Sequence, residues 1–117
     1  MAWTVAFDED FETEFDRLPE AVQDAILARA GLLERDGPQL GRPHADTLAG
    51  SAHANMKELR CNAAGGAWRV AFAFDPDRHA LLLAAGDKSG VGERRFYRRL
   101  IATADARFDR HLEALKG

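Results

Sequence analysis

The chain alternates between two hydrophobic periods. Trp3, Val5 and Phe7 are separated by Ala2, Thr4 and Ala6, a two-residue repeat that predicts a short strand. Asp8, Glu9 and Asp10 follow, carboxylates suited to the positive end of a helix. Phe11, Phe15 and Leu18 then recur at helical spacing and predict a short helix to about Arg17. Pro19 opens a second helix at a position that tolerates its missing N–H. Val22, Ile26, Ala30 and Leu33 share one face of it, and Asp36-Gly37-Pro38 stops it.

Residues 37–53 hold two Pro and three Gly and are expected to form a loop, long for so small a chain. Three strand-like runs follow, at 56–62, 67–75 and 79–86. The turns between them, "AAGG" and "PDR", are short, so the strands should form an antiparallel meander. Leu81 to Ala85 is apolar on both faces, which places the last strand centrally. From about Gly92 a final helix runs to Leu115, with Phe96, Leu100, Ala104, Phe108 and Leu112 every four residues. The order βααβββα predicts one α+β domain over 1–117, a helical hairpin and a C-terminal helix packed on an antiparallel sheet.

The middle strand of the meander carries the first chemical signal. Trp68, Val70, Phe72 and Phe74 point one way, and Arg69, Ala71 and Ala73 the other. If the large residues face the helices, the opposite face is open, with Arg69 above a floor of small side chains. In the preceding strand Lys57 and Leu59 alternate with Glu58 and Arg60. One of the two cations must therefore share the open face, and the pattern does not say which. The plainer account of Arg69 is a surface ion pair with Glu58 or Asp87.

The second signal is "LLLAAGDKSGVGERRFYRRLIA", residues 81–102, a strand, a glycine-rich turn and a basic helix. It is not a Walker A loop, because Lys88-Ser89 precedes Gly90 and Gly92. It is not a dinucleotide loop either, since "GVGERR" lacks the third glycine and no βαβ unit surrounds it. The logic of a phosphate site survives. Gly86, Gly90 and Gly92 allow the backbone close to a ligand, Lys88 supplies a point charge, and a helix N-terminus near Gly92 favours an anion. An RNA phosphate would suit. Tyr97, the sole tyrosine, is either a rim residue of the core or a base-stacking ring or proton donor beside the phosphate. Arg94, Arg95, Arg98 and Arg99 lie off the apolar stripe and suit general phosphate or partner contacts. His53 lies just before the cationic strand, within possible reach of the open face.

Composition narrows the field. The net charge of −3 conceals a split: residues 1–56 carry four basic and eleven acidic side chains, residues 57–117 twelve and eight. A basic working surface on the second half fits that asymmetry. The lone Cys61 excludes an internal disulfide. His44, His53, His79 and His111 lack metal-ligand spacing, and Ser51 and Ser89 have no placed triad partners. No metal or cofactor is expected. There is no 18-residue apolar run and no signal-peptide pattern, so the expectation is a cytoplasmic protein without membrane contact.

These stretches together resemble a known family. "NMKELR" (55–60), "WRVAFAFDPDR" (68–78), "LLAAGDKSG" (82–90) and "RFYRRLIATAD" (95–105), with a looser match in "LGRPHADTL" (40–48), are similar to toxins of the RelE/ParE superfamily, in its phage-derived HigB-like branch. The resemblance implies a type II toxin–antitoxin toxin that cleaves mRNA on the ribosome without a metal, through 2′-OH attack on the adjacent phosphate. It implies that Arg69 contacts the scissile phosphate, that Lys57 or Arg60 and Lys88 add positive charge, and that Tyr97 fills the C-terminal aromatic position. His53 and the four helix arginines would touch RNA or ribosome. It further implies a cognate helix-turn-helix antitoxin, through which alone operator DNA would be bound. A long C-terminal helix also occurs in ParE-type relatives, so the alternative is a non-catalytic inhibitor of DNA gyrase. A third possibility is a remnant that only binds its antitoxin.

Overall fold

The structure is a computed structural model that describes residues 2–117. Its elements run β1 (Thr4–Phe7), α1 (Glu9–Asp16), α2 (Glu20–Asp36), a 3-10 turn (Gly37–Gln39), β2 (Ala45–Thr47), β3 (Met56–Ala63), β4 (Gly66–Phe74), β5 (His79–Asp87) and α3 (Glu93–Leu115). The expected order stands, with one strand added. β2 lies inside the segment expected to be loop, where it pairs antiparallel with β3 through Ala45 opposite Leu59. Three residues are too few to show a two-residue period.

The sheet order is β1-β5-β4-β3-β2. β3, β4 and β5 form the expected antiparallel meander. β1 is parallel to β5, with Thr4 opposite His79 and Phe7 opposite Leu82, so the sheet is mixed. The helical hairpin separates β1 from the rest of the sheet in sequence, so β1 can pair with β5 in parallel without a tight turn. Asp8 starts α1 as its N-cap, its carboxylate accepting from the amides of Asp10 and Phe11 at 3.0 and 3.1 Å.

Each face of the sheet has its own core. On one, Phe11, Phe15, Val22, Ile26 and Leu33 of the hairpin pack on Leu59, Val70, Phe72 and Leu82. On the other, Phe96, Leu100, Ala104 and Phe108 of α3 pack on Met56, Ala71, Ala73, Leu81 and Leu83. The face expected to be open is therefore covered. Ala71 and Ala73 are completely buried. They are small because α3 lies directly on them, and not because a ligand does. Gly86 has the same role: a Cβ there would stand 2.9 Å from the Phe96 ring.

Polar contacts fix the C-terminal half of α3. Arg107 forks onto Glu14 at 2.9 and 2.6 Å and also donates to the Leu83 carbonyl. Arg110 bridges Asp8 and Asp10. Asp105 accepts from the Ser51 hydroxyl and the Ala52 amide. His111 meets the buried carboxylate of Asp75 at 2.8 Å. Among the described residues, no helix is long and apolar enough to cross a membrane.

Candidate functional site

At the N-terminal end of α3 the alanine floor gives way to arginine. Register puts Arg60 directly opposite Arg69 on β3 and β4, and Arg69 opposite Gly86 on β5. Met56, Glu58 and Arg60 point to the α3 side, while Lys57, opposite Phe72, points to the hairpin side with Leu59 and Cys61. The choice between the two cations of β3 thus falls to Arg60. Lys57 is not part of the cleft, because strand alternation places it on the other face.

Glu58 is the hub of the cluster. It is 5% exposed. Its Oε1 accepts from the Tyr97 hydroxyl at 2.8 Å and stands 3.8 Å from Arg69 Nε. Its Oε2 stands 3.9 Å from Arg60 Nε. Arg69 is 8% exposed, and only its Nη1 is tied to the backbone, donating to the Trp68 carbonyl at 3.0 Å. The ion pair with Glu58 anticipated for Arg69 exists, but as a buried contact and not a surface one. Asp87, the other anticipated partner, instead holds the amides of Ala67 and Ser89.

Tyr97 is half-buried. Burial first, and then its hydrogen bond to Glu58, push its phenol above the ordinary value, with Arg69 opposing. At neutral pH it is a proton donor. Lys88 Nζ stands 5.8 Å from the centre of the Tyr97 ring and 3.2 Å from Glu93. Its loop is shaped by Gly90, whose φ of +74° suits glycine, and its amide donates to the Ala67 carbonyl at 2.9 Å. Gly92 caps α3 with an ordinary φ of −57°. Of the three glycines of this stretch, only Gly90 therefore serves an unusual backbone conformation.

Arg94, Arg95, Arg98 and Arg99 all stand exposed on the first turns of α3. None of them takes part in an ion pair among the described residues, whereas Arg107 and Arg110 further along are committed to carboxylates. The N-terminal turns thus present uncompensated positive charge beside the cluster. His53 does not belong there. Its Nε2 meets Asp109 at 2.7 Å and its ring packs on Phe108. Asp109 is twelve residues beyond Tyr97 on α3, about 18 Å along the axis. The loop before β3 runs to the far half of the helix, held there by Asp105 and Asp109, a placement no local pattern reveals. Among the described residues, no group of three His, Cys, Asp or Glu side chains could hold a metal.

The site therefore assembles Arg60, Arg69, Lys88 and Tyr97 of the expected residues. It adds Glu58, whose place follows from alternation once Arg60 is known to face the cleft. Such an arrangement can neutralise a doubly ligated phosphate with fixed guanidinium groups and move protons through a phenol–carboxylate pair.

The family model described as "Phage derived protein Gp49-like" matches residues 13–109. The chain belongs to this family. Among curated members, the Mycobacterium tuberculosis protein named "Putative toxin HigB2" is 41% identical over 113 residues, covering 96% of this chain and 55% of its own length. The chain thus spans about half of that relative. "Putative toxin HigB3" of the same organism is 45% identical over 98 residues, covering 81% of this chain and 83% of its own length. In fold, the family member described here is similar to a free-state mutant of the E. coli toxin RelE, with a TM-score of 0.63 over 87% of this chain and 96% of that one, at 14% identity. That likeness concerns the fold alone.

Proposed function

We propose that this protein is the toxin of a type II toxin–antitoxin system and acts as a ribosome-dependent mRNA endonuclease. The names of its Mycobacterium tuberculosis relatives support the toxin, and the RelE-like fold is consistent with a nuclease. One observation carries the chemistry: Glu58 joins the Tyr97 phenol to the Arg60–Arg69 pair in one buried cluster.

In this reading the 2′-oxygen of the RNA attacks the adjacent phosphorus, and the bond from phosphorus to the 5′-oxygen breaks. Arg69 and Arg60 bind the non-bridging oxygens and offset the charge that develops there, with Lys88 beside them. Glu58 accepts the proton of the 2′-OH. Tyr97 donates its own to the departing 5′-oxygen. Transfer along the Glu58–Tyr97 hydrogen bond then restores both groups. The products are a 2′,3′-cyclic phosphate and a 5′-OH end. Arg94, Arg95, Arg98 and Arg99 contribute sequence-independent attraction to the RNA backbone. His53 and Lys57 have no part in it.

The protein works in the cytoplasm, where the ribosome is. A cognate helix-turn-helix antitoxin neutralises it and makes the contacts to operator DNA. The test is to induce this chain alone and map RNA 5′ ends. New 5′-OH ends within translated mRNA are expected. Growth arrest with intact mRNA and a DNA-damage response would instead mark a gyrase inhibitor, and no arrest at all would mark a remnant.

A further inference from the structure

A cavity of about 250 Å³ opens beside the arginine pair. Arg29 of α2, His44, Arg60, Asn62 and Arg69 line it. Among the described residues, only two buried side-chain polar atoms have no hydrogen-bond partner: Nδ1 of His44 and Nε of Arg69. Both belong to residues that line this cavity. Arg69 Nε has the Glu58 carboxylate 3.8 Å away, whereas His44 Nδ1 has no such counterpart. A buried polar atom left unpaired costs free energy that folding ordinarily avoids, so His44 Nδ1 points to a ligand that completes it.

The charge of the lining says what kind of ligand. Three arginines and a histidine meet here, and among the described residues no acidic one lines the cavity. Glu58 is committed to Tyr97, and Asp36 pairs with Arg35. The cavity is also built rigidly onto the site. The Arg60 carbonyl accepts from Arg29 Nε at 3.0 Å, and the Arg60 amide donates to the His44 carbonyl at 2.8 Å. Arg29 uses only its Nε in this way, which leaves its two terminal nitrogens without a partner among the described residues. Both new groups are thus strapped to the peptide of the residue that presents the first cationic site.

We propose that Arg29 and His44 form a second phosphate subsite, which holds the phosphodiester next to the one at Arg60 and Arg69. The inference rests on the nuclease reading, and it names a substrate feature: at least two consecutive RNA phosphates engaged at once. Arg60 and Arg69 hold the first phosphate and also border the second. The strand would run from the Arg60–Arg69 pair toward Arg29 of α2.

The experiment compares uncleavable 2′-O-methyl RNA of two and three nucleotides, with one and two phosphodiesters, binding to the full chain. In the wild type the trinucleotide should bind about tenfold tighter, as a charge-assisted contact predicts. The imidazole resonances of His44 should move with the trinucleotide and not with the dinucleotide. In Arg29→Gln the length advantage should vanish, and the salt slope of trinucleotide binding should fall by about 0.7. Equal affinity for the two lengths in the wild type, or an advantage that persists in Arg29→Gln while His44 stays silent, would overturn the subsite. If Arg29→Gln does not fold, the wild-type length contrast and the His44 resonances decide alone. The two readings fail separately: dinucleotide binding insensitive to Arg69→Gln counts against the nuclease site, whatever the third nucleotide adds.

Discussion

Arg60 and Arg69 face each other across paired strands, with the Glu58 carboxylate 3.9 and 3.8 Å from their respective Nε atoms. Like charges directly opposite on a sheet repel, so this carboxylate is what permits the pair to stand without a bound phosphate. Removing it leaves Arg69 buried beside a second cation. Glu58→Gln should destabilise the fold by roughly 3 kcal/mol, as for breaking other buried pairs. Inorganic phosphate should then raise the melting temperature of the variant more than that of the wild type, because the anion replaces the lost carboxylate. Urea unfolding and phosphate-dependent melting curves check both; equal phosphate shifts in the two proteins would count against the arrangement.

Tyr97 is the sole tyrosine, so its ionisation can be followed by ultraviolet absorbance without interference from another phenol. The midpoint should lie above the ordinary 10.0, because burial and the Glu58 hydrogen bond disfavour the phenolate. The folded state then holds this proton more tightly than the unfolded chain. The stability it contributes is whole below pH 10.0 and is lost as the pH rises through the folded value. Glu58→Gln should move the midpoint downward, since the group that opposes the phenolate is gone while Arg69 remains.

Lys57 and Arg60 provide a paired test on one strand. Arg60→Ala should lower cleavage by about 100-fold, the scale of losing one charge-stabilising group. Lys57→Ala, on the hairpin face, should stay within about threefold, since surface substitutions away from a site change little. Comparable losses in both would mean that the strand does not present the site as described. Primer extension on mRNA from induced cells gives the readout.

Asp75 clamps the far end of α3. Its carboxylate accepts from the amides of Asp77 and His79 and meets the His111 and His79 rings at 2.8 and 3.3 Å. Burial raises its pKa, but these contacts outweigh burial and hold it below the ordinary 3.8. Its contribution to stability is therefore whole above pH 3.8 and drains away as the pH falls through the folded value. Asp75→Asn should cost about 2 kcal/mol near neutrality, from donors left without their charged acceptor. Its stability curve should also be flatter in acid, which urea titrations at stepped pH will show.

Periodicity revealed the helices and the meander because each ran for at least two turns or seven residues. It missed β2, whose three residues carry no period, and the parallel placement of β1, which depends on a neighbour 75 residues away in sequence: Thr4 pairs with His79. The face of Ala71 and Ala73 was legible as small but not as covered. A floor of alanines looks the same whether a ligand or a closely docked helix rests on it. Arg69, Lys88 and Tyr97 were visible because cations and a lone tyrosine stand out. Glu58 was legible only as a possible partner of Arg69, and its burial and its bond to Tyr97 came from the strand register and the packing of α3, which no local pattern shows. Arg29 and His44 reach the site from α2 and from the turn before β2, and no local pattern marks such arrivals.

α3 joins two sets of contacts in one rigid rod. Asp105, Arg107, Asp109, Arg110 and His111 tie its C-terminal half, the root, to the body of the protein, while at the other end Phe96 and Leu100 rest on the sheet and the Tyr97 hydroxyl holds Glu58. A rod held in this way passes a slip at its root along to the contacts at its N-terminal end. Substitutions at Asp75 or Asp105, remote from any RNA, should therefore loosen the grip of Tyr97 on Glu58 and show themselves as lost activity in a protein that still folds. A partner that levers the root of this helix would not need to touch the phosphate site to silence it.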